Sequence, residues 1–426
     1  MSRFTTARGM RDFLPEEAQR MRHVENTSRE IARLFGYGEI ITPVIESYEL
    51  LAAKSSDEIR QRMFAFNDLG GRKMALRPEF TASIARLVAT KMMRKPKPSR
   101  LFCLGSLYRY DEPQFGRYRE FWQIDYELIG SNKPEADAEI LAITYNLMER
   151  LGIRNFYFKI GHIGILRGIL SQEKVAEDQQ SGIMQLLDKK RWDEALTAIQ
   201  ELGVSQECIA TVRTVLETRG KDARKVLRDA KINVEKYESA VAAVEDLQEI
   251  LELVRSSVGL EPLVEAGFAR GLEYYTGMIF EVYVPEMEIA LGGGGRYDKL
   301  IELFGGEPAP AVGVAQGTDR LVLAMEKQGI AAEASKKKWV TVIPVGAELR
   351  AKAFELSAML RKAEIPAEVD VMGRTVSKAL SDANKRGFTH AVIVGPEELK
   401  EGKVVLRNMK EREQRIVTID RLTKEI

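Results

Sequence analysis

At 426 residues the chain has room for roughly three domains. With 45% hydrophobic and 30% charged residues it can close real cores, which excludes a disordered chain. A formal net charge of +1 supplies no global field toward nucleic acid, so any such binding has to come from local patches.

Two cysteines, Cys103 and Cys208, make neither a disulfide framework nor a metal spacing. His23, His162 and His390 lie away from the motifs below, which weakens a catalytic-triad or zinc reading. No apolar run is long enough to span a bilayer. MSRFTTARGMRDFLPEEA lacks the apolar stretch of a signal peptide. A soluble cytoplasmic protein with no membrane partner is expected.

In chain order, residues 18–35 show helical periodicity that stops at Gly36. EIITPVIE (39–46) reads as a strand interrupted by Pro43, hence one at an edge or interface. LRPEFTASIARLVA reads as a helix starting near Pro78, with proline in its first turn. Two long strands are predicted over 100–110 and 117–130, joined by the turn-forming DEPQFG. A helix follows over about 134–152. From 168 to 256 strand signals vanish, and stretches such as KRWDEALTAIQEL predict a helical insertion domain. Strand character returns at MIFEVYV (278–284), LGGGGRYDKL follows, and a helix runs from about Gly317 to Lys327. A linker over 329–338 contains AAEASKKK, and strands and helices alternate over 339–426. The expected fold class is α+β: an antiparallel-sheet domain over 1–167 and 257–328, interrupted by the helical insertion at 168–256, with a C-terminal α/β domain.

The chemistry concentrates in a few places. A turn centred on Pro113 sets Arg109 opposite Arg117, and directly opposed like charges are destabilising. An anion between them resolves the conflict, since guanidinium grips phosphate bidentately; two solvated arginines splayed at the hairpin mouth also satisfy the pattern. On the next strand Gln123, Asp125 and Glu127 share one face and Trp122, Ile124, Tyr126 and Leu128 the other. Phe121 and Ile129 accompany the polar side, which points to a polar floor in a covered cleft rather than an open sheet face. Glu79 and Thr81 near a helix start are explained equally by the helix dipole. Arg320 falls in the first turn of a helix, the end where a cation is disfavoured; an anionic ligand or a pair with Asp319 would offset it. GGGG (292–295) has no Lys-Ser/Thr after it, so it is read as a close approach of strand and ligand or a plain turn, not a phosphate loop. ARGLEYYTG (269–277) sets Arg270 beside Tyr274 and Tyr275, either as a turn with packing tyrosines or as a site for an anion and a flat polar group.

Together these segments resemble the histidyl-tRNA synthetases, within the class II aminoacyl-tRNA synthetases. IITPVIE, RYDEPQFGRYREFWQ and GVAQGTDRL resemble the three class II signatures in order. ARGLEYYTG and GGRYDKL resemble the two signatures of the histidine enzymes, and GMRDFLPEE and LRPEFT fit the same family. The resemblance spans nearly the whole chain. It implies a ligase that activates histidine with ATP to histidyl-adenylate, then transfers it to the 3′ end of tRNA(His), as a homodimer built on the first motif. It implies catalytic roles for Arg109, Arg270 and Arg320. Arg109 would hold the α-phosphate and the histidine carboxylate, Arg270 the α-phosphate again, and Arg320 the γ-phosphate or adenine. Asp111 and Arg117 would orient the nucleotide. Glu79, Thr81, Gln123 and Glu127 would bind the amino acid, with Tyr274 and Tyr275 closing around the imidazole. Gln114 and Arg119 match positions that meet the tRNA acceptor end. No residues are assigned to a metal, and Mg²⁺ is expected on the pyrophosphate oxygens of ATP. The tail would read the anticodon, with Lys378, Lys385 and Arg386 either on phosphates or on a solvated helix face.

The alternative is the non-catalytic relative that serves as regulatory subunit of ATP phosphoribosyltransferase. It lacks an anticodon-binding tail and often loses signature residues. The tail and Arg270 here argue against it, as RGLEYYTG argues against class II enzymes for threonine, proline or glycine.

Overall fold

A computed structural model describes residues 4–53, 57–270, 274–331 and 338–426. It divides into two compact units, Met1–Ala332 and Glu333–Ile426. Gly271, Leu272 and Glu273 of ARGLEYYTG, and 332–337 of the expected linker, lie outside the described residues.

The first unit is built on a nine-stranded sheet. Its order is Gly38–Glu39, Ser99–Tyr108, Glu120–Ile129, Ala311–Gly317, Gly292–Arg296, Met278–Tyr283, Tyr157–His162, Leu263–Glu265 and Arg219–Gly220. The six central strands are antiparallel throughout, while Gly38–Glu39 and Leu263–Glu265 pair parallel with their inner neighbours. The two-residue period decides which face each side chain takes. Ile124, Tyr126 and Leu128 enter a large core beneath the helices Pro15–Leu34, Pro134–Arg150 and Glu238–Val258. Tyr126 is fully buried there and donates to the Ser28 carbonyl at 3.0 Å; truncating such an aromatic typically costs about 3–5 kcal/mol. Phe121, Gln123, Asp125 and Glu127 face the opposite side, where a cavity opens.

Several expectations need correction. The 39–46 segment is not one strand: Gly38–Glu39 edges the large sheet, Ile45–Ser47 joins a separate three-stranded sheet, and residues 40–44 between them belong to no strand. The helix expected from Pro78 is Thr81–Leu87, continuing as a π-turn over Val88–Met92. Residues 77–79 stay outside it because their carbonyls are engaged elsewhere: Arg77 accepts from Tyr108 N–H at 3.1 Å and Pro78 from the Arg109 guanidinium at 2.9 Å. Helices follow one another from Ile163 to Val258, a run crossed by the short strand Arg219–Gly220 that the sequence pattern did not show. It shares one core with the sheet, Ile183, Val212 and Leu247 belonging to the same cluster as Phe158 and Phe280.

The second unit carries a five-stranded sheet in the order Ala367–Val369, Val340–Pro344, His390–Val394, Lys403–Asn408 and Gln414–Thr418. The first three strands are parallel, as alternation with the helices Arg350–Lys362 and Val376–Lys385 requires. The last two form an antiparallel hairpin that the sequence reading passed over. Lys378 and Lys385 are exposed, while Arg386 pairs with Glu368 at 2.9 Å and lies over the Phe388 ring at 4.9 Å.

Candidate active site

The hairpin between the two longest strands closes one residue later than a turn centred on Pro113. Gln114 and Arg117 bridge, with Gly116 at φ +66°, a left-handed conformation suited to glycine. Arg109 N–H therefore donates to the Arg119 carbonyl at 3.0 Å, so Arg109 faces Arg119 and not Arg117. The two opposed guanidiniums separate. Arg119 is only 6% exposed, its guanidinium 3.7 Å over the Tyr110 ring and its Nε donating to the Asp111 carbonyl at 3.1 Å. Arg109 turns into the cavity, held by Pro78 and 5.2 Å from the Phe121 ring centre. The acceptor-end role expected for Arg119 does not suit a side chain buried against its own hairpin; Gln114 is at the exposed tip.

The cavity, about 460 Å³, is lined by Arg109, Arg117, Arg270 and Arg320 together. Arg320 stands in the first turn of Thr318–Lys327 and donates from Nη1 to the Ala290 carbonyl at 2.8 Å and from Nε to Gly116 at 3.3 Å. Its ordinary acid partner is unavailable: Asp319 takes Trp122 N–H at 2.8 Å and pairs with Arg11. Arg320 is accordingly pulled down to about 10, by burial first and then by the charges of Arg109, Arg117 and Arg270. Arg270 donates to the Phe280 carbonyl at 3.3 Å and lies 3.6 Å from Glu281. Burial lowers its pKa, but Tyr275 and Glu281 outweigh that and leave it raised. Among the described residues, neither Nη of Arg109 and no part of the Arg117 guanidinium has a hydrogen-bond partner. Asp111 also lines the cavity and pairs with Arg62 at 3.0 Å.

The floor is acidic and aromatic. Glu127, 2% exposed, accepts from Thr81 Oγ1 at 3.1 Å and from the Tyr297 hydroxyl. Burial pushes its carboxyl up to about 8, those two hydrogen bonds working against the rise. Glu79 is raised by burial, opposed by Arg109 and a hydrogen bond from Tyr274. The Tyr274 ring lies 5.0 Å from Tyr275 and 5.8 Å from Tyr297, all three on the cavity wall. The glycine run is the central strand Gly292–Arg296, and it gives the close approach expected of it. A Cβ on Gly293 would meet Arg270 Nη1 at 2.1 Å, and one on Gly313 across the ladder would meet Glu127 Oε2 at 1.6 Å. Side chains there would fill the space that Arg270 and Glu127 occupy.

The structure thus brings Glu79, Thr81, Arg109, Asp111, Arg117, Gln123, Glu127, Arg270, Tyr274, Tyr275 and Arg320 to one cavity. Sequence reasoning missed Tyr297, although GGRYDKL contains it and alternation from Gly295 gives its face. It also missed Arg11, whose guanidinium lies 3.3 Å over the Tyr118 ring while it holds Asp319. Gln185, Asp188 and Lys189, at the end of the helix Glu177–Asp188, line the same cavity. No local pattern marks those three, because only the tertiary fold carries that helix end to the sheet.

A family model described as Histidyl-tRNA synthetase matches residues 9–321, and one described as Anticodon binding domain matches 339–426. A Histidine--tRNA ligase of Methanocaldococcus jannaschii is 41% identical over 422 residues, covering 99% of each chain. One of Saccharolobus solfataricus is 38% identical over 97% of this chain and 96% of its own. Among solved structures, a histidyl-tRNA synthetase from Nostoc sp. PCC 7120 shares the fold with TM-score 0.81 at 24% identity, covering 100% of this chain and 99% of that one. An ATP phosphoribosyltransferase regulatory subunit/histidyl-tRNA synthetase from Bacillus halodurans C gives 0.78 at 27%, covering 92% and 98%. Matched along almost its whole length in this way, the chain belongs to the histidyl-tRNA synthetase family.

Proposed function

We propose that the cavity joins histidine to ATP as histidyl-adenylate, and that the chain then passes histidine to the 3′ end of tRNA(His). The observation that carries this is the convergence of Arg109, Arg117, Arg270 and Arg320 at one cavity with a buried acidic floor. The histidine carboxylate is already ionised, so no side chain has to remove a proton. Its oxygen bonds to the α-phosphorus as the bond to pyrophosphate breaks. Both reactants are anions, so the work is alignment and cationic stabilisation of the crowded phosphorus. Arg109 and Arg270 take the α-phosphate, Arg109 also the histidine carboxylate, and Arg320 the rest of ATP. Arg117 and Asp111 orient the nucleotide. Glu79, Thr81, Gln123 and Glu127 receive the amino acid, and Tyr274 and Tyr275 close around the imidazole. A site of buried acceptors rejects side chains that lack matching N–H groups by roughly 10⁴–10⁵.

Mg²⁺ belongs to the proposal as a companion of the ATP phosphates. Among the described residues no three His, Cys, Asp or Glu side chains gather to hold a metal, so no protein ligands are assigned and no step runs through it. Residues 1–167 and 257–328 carry the chemistry, 168–256 the insertion, and 339–426 the anticodon reading. Gln114 meets the acceptor end. A cytoplasmic homodimer completes the proposal; Ile41, 90% exposed, with the exposed Val44 and Ile45, supplies apolar side chains around Pro43 for it.

ATP–pyrophosphate exchange with each amino acid in turn tests the activity. Exchange dependent on histidine is expected; none with any amino acid overturns it in favour of the regulatory reading. Removing residues from 333 onward should spare exchange and weaken tRNA charging, and undiminished charging would refute the anticodon role.

A further inference from the structure

Asp319 stands where a carboxylate is least welcome. It lines the cavity and precedes Arg320 in the chain, at a place the proposed function gives to ATP. A buried anion there repels a polyanion. Its use to the fold is nonetheless plain: Oδ2 accepts the Trp122 N–H at 2.8 Å and so ties the strand Glu120–Ile129 to the start of the helix Thr318–Lys327. That bond needs the oxygen and not the charge.

The charge is met from behind. Arg11 pairs with Oδ1 of Asp319, which is 5% exposed. Among the described residues, Arg11 is not one of those on the cavity wall. Its guanidinium lies 3.3 Å over the Tyr118 ring and 4.9 Å from the Phe13 ring centre, which fixes where the cation sits. The segment around it follows the hairpin. Arg119 N–H donates to the Gly9 carbonyl at 3.0 Å, and the Phe13 ring meets Trp122 edge-on at 5.2 Å. Gly9 has φ +82°, and a Cβ on it would lie 2.7 Å from Arg119 Cγ, so the approach is too close for any side chain. Contacts at Tyr118, Arg119 and Trp122 thus deliver Arg11 to Asp319.

Without Arg11, Asp319 keeps its charge next to Arg320, a cation on which it already acts. A buried carboxylate stripped of its partner is costly and draws another cation. It either pulls Arg320 off the Ala290 and Gly116 carbonyls or stays unpaired beside the phosphates. Both outcomes weaken ATP binding.

We propose that Arg11 is a positioning residue for adenylate formation: by neutralising Asp319 from outside the cavity, it reserves Arg320 for ATP. This rests on the proposed function above, and adds to it a role for the N-terminal segment.

The test is ATP–pyrophosphate exchange on the full chain, with ATP and histidine varied in turn. Arg11→Met should raise the KM for ATP by about ten- to a hundred-fold and that for histidine by less than about threefold, the scale of one uncompensated charge near a bound anion. Adding Asp319→Asn should return the ATP KM to within about threefold of wild type, since the two changes share one interaction. The amide still accepts the Trp122 N–H and carries no charge. A purely structural role for Arg11 gives the opposite result, because the double variant has lost the same ring contacts and would do no better than Arg11→Met. That result overturns the proposal, as does an ATP KM unmoved by Arg11→Met or a histidine KM that rises as far. Should Arg11→Met fail to fold, the double variant is compared with Asp319→Asn alone. Arg11 acts through the carboxylate, so the two should bind ATP alike, and a further loss in the double variant overturns the assignment. A wild-type chain without histidine-dependent exchange defeats the functional reading itself, a result separate from any variant.

Discussion

Arg296, at the end of the strand Gly292–Arg296, and Arg320, in the first turn of the helix Thr318–Lys327, are treated in opposite ways. Arg296 is saturated: it reaches Asp137 with Nε at 3.1 Å and again through Nη2, Asp298 at 3.1 Å, the Ser131 carbonyl at 2.9 Å and the Lys133 carbonyl at 3.3 Å. Arg320 has two carbonyls, three like-charged neighbours and an adjacent acid already engaged by Arg11. A guanidinium matched donor for donor holds the fold together. One left short of acceptors in a cavity costs the protein stability, and a phosphate ligand supplies what is missing. Both residues lie in recognisable motifs, so motif membership alone does not separate the two roles.

The sharpest break of that contrast is Arg296→Ala. It leaves Asp137, 1% exposed, as a buried acid without its cation, a change that typically costs about 3–5 kcal/mol. Urea unfolding should show the loss, while exchange per folded molecule changes far less. A cost under about 1 kcal/mol would remove the distinction. Arg270→Ala and Arg320→Met should behave inversely. Each is expected to lower the exchange rate by about 10²–10³, the scale for one removed transition-state donor. Arg270→Ala should alter histidine affinity only modestly. Because Arg320→Met also relieves repulsion from Arg109, Arg117 and Arg270, unfolding free energy should shift by less than about 1 kcal/mol. Unaltered turnover in either variant would take that arginine out of the mechanism.

Glu127→Gln extends the contrast to the floor. The carboxyl stands at about 8 in the fold against an ordinary 4.5. A raised folded pKa means the folded state holds the proton more tightly. The associated stability is complete below about pH 4.5 and is lost as pH rises through about 8. The wild-type protein should therefore lose stability over that window by up to about 1.4 kcal/mol per pH unit relative to Glu127→Gln. Melting temperatures of the pair at several pH values read this directly, and parallel curves would refute it. The variant should also bind histidine more weakly, since it gives up an acceptor the substrate needs.

What was legible in the sequence followed from periodicity and from residues out of place. Alternation over 120–129 separated Ile124, Tyr126 and Leu128 from Gln123, Asp125 and Glu127, and a cation at a helix start singled out Arg320. What was not legible depended on chain segments meeting. The hairpin register hung on Gly116 adopting positive φ, and nothing in DEPQFG distinguishes that turn from one centred on Pro113. Nothing in the sequence marked Arg119, rather than Arg117, as the arginine opposite Arg109, or showed that the Tyr110 ring covers it. The helix start near Pro78 moved because Tyr108 and Arg109 claim the preceding carbonyls. Asp319 was the obvious partner for Arg320, and only the distant Arg11 shows why it is taken.

The smallest expected effect belongs to Gln114→Ala, and it separates the hairpin's tip from its root. Gln114 is exposed, and its bridge to Arg117 uses backbone atoms, N–H to O at 3.1 Å and 2.9 Å, which alanine preserves. Surface substitutions of this kind usually move stability by less than about 0.5 kcal/mol. Arg109 and Arg320 keep their supports at Pro78, Ala290 and Gly116, so exchange should stay within about twofold. A contact with the tRNA acceptor end would appear only in the second step, as slower charging at unchanged exchange. Arg119→Met lies at the root, where the guanidinium packs on Tyr110 and bonds the Asp111 carbonyl, and it should disturb both steps together. If Gln114→Ala slowed exchange as much as charging, the tip would be part of the nucleotide pocket and the boundary between the two regions would have to be redrawn.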